Sequence, residues 1–400
     1  MVAPELPIGD RVRHYRGTRR QDVVAGLVGI TPDYLSQIER GLKVPTIAVL
    51  HDLARELGVP TATLLAECVA PVASGPETTA PAIAQALMGY GPPRSSPPTE
   101  MHLLRERVQA AWRSWQTSPT RFTEADATLP DLIAETEHTL RTHRNGADSA
   151  VRRDSLRVSA DLYFLLRSYL RRAGRVELSL MAADRAMRAA EDADDPLRMA
   201  AAQWNLGHVL LAAQDVDGAE QIVLRGVEDL KPRVAAGDEE CAAMQGALHL
   251  VAVVASSRRK DWWKARDRLR DMAAPAANRA GEGNVMWTVF GPTNVALHQV
   301  SIEMEAGEAG EALHTADRLD ASVLPSLERS FTFTLEVARC YDLRREDAAV
   351  LLHLLELENL APEDLVRAQL ARDMVLGLMR RARAMHARQA EALAARMGML

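Results

Sequence analysis

The chain is poor in cysteine. Its three, Cys68, Cys241 and Cys340, lie far apart and are odd in number, and no pair is spaced as CxxC. Neither a disulfide framework nor a thiolate metal site is therefore expected. Long apolar runs are also missing: no segment approaches the ~20 residues that span a bilayer, and the opening MVAPELPIGD has no basic stretch ahead of an apolar one. A cytoplasmic protein without membrane contact is the expectation. Lysine is scarce, 4 of the 48 cationic residues, and aromatics make up 4% of the chain; strand signals are correspondingly few. Catalytic signatures are lacking as well. There is no HExxH, no GxxxxGK[ST] and no GxSxG, and GEGNVM at 281–286 fails the dinucleotide pattern at its last glycine. His138 and His143 are five apart and do not share a helix face, and the acidic clusters EDADD and GDEE fall at predicted helix ends. The chain is expected not to be an enzyme and to carry no cofactor and no metal.

What is present is unevenly distributed. The formal net charge is -6, yet residues 1–66 hold 8 Lys/Arg against 7 Asp/Glu, and Asp10 to Arg20 carries five arginines and one aspartate. Because charge interactions are screened over roughly 8–10 Å at physiological salt, a polyanion would feel that patch more than distant acidic residues. Seven of the twenty prolines fall between Ala70 and Pro98, which divides the chain into 1–69, a Pro-rich linker at 70–99 with one short helix near Ile83 to Met88, and 100–400.

Before the linker, IGDRVRHYRG, QDVVAGLVG, TPDYLSQIERG, TIAVLHDLAREL and TATLLAE read as five short helices. Val24 and Ala25 are followed by Gly29, then Ile30, Leu35 and Ile38. Ala25 is small where a second helix crosses, and Gly29 supplies a turn that a side chain resists. Thr31 is a candidate N-cap with Pro32 in the first helical turn, leaving Pro32, Asp33, Ser36 and Gln37 on the exposed face. With Gln21, Ala25, Gly29-Ile30-Thr31, YLSQIERG and VPT in place, Ile8 to Glu67 resembles the phage-repressor-like (Xre) helix-turn-helix family. The resemblance implies a double-stranded DNA operator as partner, contacted by Gln21, Thr31, Pro32, Asp33, Tyr34, Ser36, Gln37, Arg40 and Lys43. Gln21, Arg40 and Lys43 would meet phosphates, while Asp33, Ser36 and Gln37 would face base edges in the major groove. Glu39 is expected to pair internally with Arg13 or Arg16.

After the linker, helical periodicity continues almost to the end. In WNLGHVLLAAQDVDGAEQIVLRGVEDLKP, Gly207 and Ala219 lie on two helices across an Asp-rich turn, small residues that let the pair approach closely, and Pro232 is expected to end the second helix. Similar pairs recur with Ala183, Ala265, Ala312 and Ala349 as equivalents. The fold class is all-α: a five-helix helix-turn-helix domain, then a tetratricopeptide-like right-handed helical superhelix with a concave groove, closed by one helix over MRRARAMHARQAEALAARMG.

One stretch departs from the composition. GNVMWTVFGPTNVALHQVSI, 283–302, has no formal charge in a chain that is 26% charged. As one helix it is either an inner element covered by neighbours or a ligand-facing surface, with Asn284, Thr288, Gly291, Asn294 and His298 on one stripe and a kink at Pro292. Candidate ligand contacts are Trp204, His208, Asn284, Trp287, Thr288, Asn294, His298 and Ser301. The joined architecture resembles actinobacterial Xre-type regulators with a tetratricopeptide-like sensor. It implies a homodimeric transcription regulator whose repeats sense a peptide or small-molecule effector or mediate dimerisation. The rival reading is a protein-interaction scaffold with little or no DNA binding.

Overall fold

The computed structural model describes residues 8–17, 19–59, 61, 64, 81–89, 97–144, 148–320 and 326–400. It divides into two compact units, Met1–Glu77 and Thr78–Leu400. Among the described residues every regular element is helical, and no helix is long and apolar enough to cross a membrane. Apart from Thr61 and Leu64, the expected helix over TATLLAE lies outside the described residues, as does most of the Pro-rich stretch.

The first unit contains α1 (Ile8–Arg16), α2 (Gln21–Val28), α3 (Pro32–Glu39) and α4 (Ile47–Leu57). Val12, Val24, Ala25, Leu35, Ile38, Leu50, Leu53 and Ala54 form its core, joined by Leu64. Ala25 is fully buried, and Gly29 ends α2 in the left-handed region at φ 75, as the sequence reading required. Gly9 has a role no sequence signal advertised. A Cβ there would stand 2.1 Å from the carbonyl oxygen of Ile38, so α1 meets the end of α3 backbone against backbone.

The second unit is a repeat-like stack of helices. It runs through α5 (Pro81–Met88), α6 (Met101–Thr117), α7 (Arg121–His143), α8 (Ser149–Arg172), α9 (Val176–Asp192), α10 (Pro196–Ala212), α11 (Val216–Ala235) and α12 (Glu239–Arg258). Next come α13 (Trp262–Arg268), α14 (Ala274–Ala280), α15 (Pro292–Glu305), α16 (Ala309–Ala316), α17 (Leu327–Leu343), α18 (Asp347–Leu360), α19 (Pro362–Arg367), α20 (Gln369–Arg381) and α21 (Ala384–Arg396). Ile83 and Leu87 of α5 are buried in the main core of this unit, which therefore begins inside the stretch read as linker.

A single turn design recurs. Gly174, Asp194, Gln214, Gly237, Lys260, Gly307 and Arg345 each adopt positive φ, and the residue after each opens the next helix. That following residue donates its backbone N–H five residues back, as from Asp195 to Ala190, Asp215 to Leu210 and Asp261 to Ser256. The helix is thus closed by a Schellman bond and the next is opened by an N-cap in two residues. Asp195, Asp215, Asp238 and Asp261 cap through their side chains. A two-residue reversal leaves consecutive helices antiparallel, and small residues let them close: a Cβ on Gly207 would lie 2.7 Å from Val223, and Ala183, Ala219, Ala265 and Ala312 are fully buried.

Several expectations need correction. Ala349 is half-buried, and Val350 takes the core position instead. Pro232 does not end α11, which runs on to Ala235; a proline this close to a helix end costs one backbone bond. The closing segment is two helices, broken at Ala382, whose ψ of 161 is extended. The 283–302 stretch is not one helix: a 3-10 turn at Val285–Trp287 precedes α15, and Pro292 occupies the first turn of that helix instead of kinking it. No stripe along a single helix face exists there.

Candidate nucleic-acid interface and ligand cavity

In the first unit, α3 is fixed from both ends. Thr31 Oγ1 accepts the Tyr34 N–H at 3.2 Å and Pro32 stands in the first turn, while Leu35 and Ile38 are buried. Buried Glu39 is the anchor. It accepts from Arg16 Nε and Nη2 at 2.6 and 2.9 Å, and from Gln21 Nε2 at 2.7 Å, tying α1, α2 and α3 together. Burial opposes its ionisation, but the bonds from Arg16 and Gln21 prevail and hold its carboxyl below the usual range.

These restraints leave a polar edge outside. Thr31, Pro32 and Asp33 are exposed, and Tyr34, Ser36 and Gln37 are partly so. Gln37 Nε2 donates to Asp33 Oδ2 at 2.7 Å. Asp33 thereby holds one N–H of the carboxamide and leaves its carbonyl and second N–H, the pair that fits an adenine edge. Arg40 closes the helix with Nε on the Ser36 carbonyl at 3.3 Å, and Lys43 Nζ lies 5.6 Å from the centre of the Tyr34 ring.

The arginine patch at 10–20 is less open than its charge suggests. Arg16 is spent on Glu39, Arg19 pairs with Glu56, and Arg20 pairs with Asp22. Gln21, expected on a phosphate, likewise has a donor committed to Glu39. Among the described residues Arg13, Arg40 and Lys43 have no ion pair; Arg40 and Lys43 form the cationic border of α3, and the charge of Arg13, exposed on α1, acts on Glu39. A sequence count of charge could not separate these two sets, because pairing depends on which helices touch.

Residues 7–67 match the family model of a helix-turn-helix domain. The N-terminal unit is a helix-turn-helix domain. Its turn is Gly29-Ile30-Thr31 and its second helix is α3, and the domain supports a DNA-binding regulator in general. No curated protein matches the chain.

In the second unit, a cavity of 250 Å³ opens between α6, α8, α10, α12, α15 and α17. Trp204, His208, Trp287, Thr288, Asn294, His298 and Ser301, seven of the eight candidate contacts, line it. Asn284 does not line it. Instead Asn284 Nδ2 donates to Gln116 Oε1 at 2.7 Å, its Oδ1 accepts the Val289 N–H at 3.1 Å, and Gln116 Nε2 donates to the Trp287 carbonyl at 3.1 Å. This lattice braces the 284–291 turn against α6. The turn is strained: Met286, Trp287 and Val289 have φ of 48, 62 and 53, a conformation that a β-branched residue rarely adopts, at about 1–3 kcal/mol each. What the strain achieves is placement. Trp287 stacks on Trp112 at 5.1 Å with 2° between planes, forming one aromatic wall; Trp204, edge-on to His208 at 4.4 Å, forms another.

Sequence reasoning missed the charge in this cavity. Arg167, Arg171, Arg172, Glu328 and Arg329 share its lining. Burial, and after it the neighbouring arginines, keep His208 far below its ordinary range; burial and then Arg329 push His298 down to about 4. Both imidazoles are therefore neutral, with His298 Nδ1 donating to the Asn294 carbonyl at 2.8 Å. Arg167 is buried and Arg171, Arg172 and Arg329 are partly buried, on α8 and α17, helices whose sequence reads as ordinary amphipathic surface. Only their convergence reveals the site.

Proposed function

We propose that the chain is a transcription regulator that reads an operator through α3 and responds to an effector held in the second unit's cavity. The observation that carries the reading is the division of labour on α3: Glu39, Leu35 and Ile38 face inward, and Asp33, Ser36 and Gln37 form an outward edge bordered by Arg40 and Lys43. On this reading Gln37 pairs with a base, and Arg40 and Lys43 neutralise phosphates. Two copies would bind half-sites about one helical turn apart. A helix-turn-helix domain joined by a Pro-rich linker to a sensor that includes α5 belongs to the same proposal, as does the tetratricopeptide-like character of the sensor. Effector binding would change operator affinity, and such couplings are typically about 5–150-fold.

The test begins with genomic fragments retained by the full chain. Gln37→Ala should relax base preference at one position by about 1–3 kcal/mol of discrimination, whereas Arg40→Ala should weaken all sequences and lower the salt slope by about 0.9. If both variants retain the same fragments with parental affinity and salt dependence, the assignment of α3 fails. Stoichiometric co-purification of a protein without salt-sensitive DNA retention would favour the scaffold reading.

A further inference from the structure

The cavity holds more positive charge than its own carboxylates answer. Arg172 pairs with Glu328 and lies 3.4 Å from Asp364; Arg121, behind the wall, takes Asp364 and approaches Glu328 at 4.0 Å; Arg171 reaches Glu328 only at 3.8 Å. Arg167 is satisfied by a neutral group, with both Nε and Nη2 on Asn205 Oδ1, and its guanidinium lies 5.3 Å from the centre of the Trp204 ring. The Arg329 guanidinium has no hydrogen bond or ion pair among the described residues. Five arginines thus share two carboxylates. Burial, and then mutual repulsion, lower Arg171 to about 10 and pull Arg167 and Arg329 down too. Arginine does not give up its proton in proteins, so the repulsion persists until an anion relieves it.

Other polar atoms here also lack partners. Arg171 Nε and Asn294 Oδ1 are buried without a hydrogen bond, and Asn294 is 1% exposed. Buried polar groups left unpaired in a folded protein call for an explanation, and an absent ligand is one. The walls specify the remainder of it. The stacked Trp112–Trp287 pair, Trp204 and Leu297 present flat and apolar surface. A volume of 250 Å³ lies near the lower end of the roughly 300–1,000 Å³ typical of small-molecule sites.

We propose that this cavity binds a small organic carboxylate with a flat apolar body, its carboxylate held by Arg171 and Arg329 and its body lying between the tryptophan walls. Guanidinium forks match carboxylates with two parallel bonds. An N–H or O–H on the ligand would satisfy Asn294. The proposal rests on the effector reading above and names the chemistry of that effector. A free aromatic acid and the C-terminal end of an aromatic dipeptide offer the same chemistry.

The experiment is thermal unfolding of the full chain followed by tryptophan fluorescence, which reports the second unit because all six tryptophans lie in it. Benzoate and glycyl-phenylalanine serve as probes, and benzamide is the neutral control. At about ten times its dissociation constant, at least one acid should raise the melting temperature by about 2 °C, and benzamide should not. Arg329→Gln and Arg171→Gln should each weaken acid binding at least about tenfold, as expected for a charge-assisted bond lost. Arg329→Gln should not lower the melting temperature without ligand, since it removes an unanswered charge. Equal responses to benzoate and benzamide, no response to either acid, or acid binding unaffected in both variants overturns the proposal. Binding that leaves DNA retention unchanged upholds the cavity and sinks the regulatory reading; DNA retention that fails in Gln37→Ala and Arg40→Ala tests α3 alone.

Discussion

Asp364→Asn should destabilise the second unit severely, and the structure gives the size. Arg121, at the start of α7, has a fully buried side chain; it donates through Nε to Asp364 Oδ2 at 3.0 Å and through Nη2 to Oδ1, and Asp364 is itself 3% exposed. The same carboxylate serves Arg172. Neutralising it leaves Arg121, Arg171 and Arg172 to share Glu328. Breaking a buried pair from one side costs about 3–5 kcal/mol, because the remaining charge has lost both water and partner. For a unit of about 320 residues (Thr78–Leu400), an unfolding entropy near 2.1 cal/mol/K per residue converts this to a fall of about 4–7 °C. Tryptophan fluorescence against temperature or urea reads the change. The neighbouring Glu363, which accepts the Phe122 N–H at 2.7 Å, keeps α7 docked, so the variant isolates the charge. Arg121→Met combined with Asp364→Leu should recover at least half of the loss, since a buried ion pair is often replaceable by apolar packing of similar volume. A single variant within about 1 kcal/mol of the parent, or a double variant no better than the single, would refute this account of the clasp.

Other outcomes follow from the same contacts. Gly246→Ala would put a Cβ 2.1 Å from Phe290 Cζ, so the 284–291 turn must shift; a loss of about 1–3 kcal/mol and a changed tryptophan spectrum, as Trp287 leaves Trp112, are expected. Glu39→Ala should cost about 1–3 kcal/mol, discounted because Arg16 is partly exposed, and the contribution should also fade in acid: its folded pKa lies below the ordinary 4.5, so the stabilisation is present above 4.5 and lost as pH falls through the folded value. Far-ultraviolet circular dichroism of the first unit's transition checks both. Glu336, pushed up to about 7 by burial against the pull of Arg339, has the opposite sign: the folded chain keeps a proton that the unfolded one has released, so stability falls as pH rises from 4.5 to 7. Glu336→Gln should remove up to about 3 kcal/mol of that dependence, seen in urea midpoints at pH 5 and 8. His298, at about 4 when folded against 6.5 unfolded, contributes stability that is complete above 6.5 and is lost as pH falls toward 4; a flat melting temperature across pH 4–6.5 would contradict its burial as a neutral group.

Local chemistry carried much of the sequence reading. The two-residue reversals with their aspartate caps, the Thr31-Pro32 start of α3 and the small residues at Ala25, Gly207 and Ala219 act within a turn or between adjacent helices, where spacing along the chain is spacing in space. The cluster around 283–302 was legible for a similar reason, since a long uncharged run in a charged chain marks exclusion of water. Its shape was not legible. A 3.6-residue period implies one continuous helix, whereas residues 284–291 form a strained turn ahead of α15, held by Gln116, which is 168 residues from Asn284. That contact has no local signature.

By itself, then, the sequence determined an all-helical fold, the helix-turn-helix unit with its outward α3 edge, and seven of the uncharged residues that come to line the cavity. Tertiary structure alone decided which arginines of the first unit are spent on Glu39, Glu56 and Asp22, and that Arg121, Arg167, Arg171, Arg172 and Arg329 converge on only two carboxylates. Helix formation depends on neighbours three or four residues away, while the field inside a cavity is the sum over groups as far apart in sequence as Arg121 and Asp364, and only folding brings those charges within reach of one another.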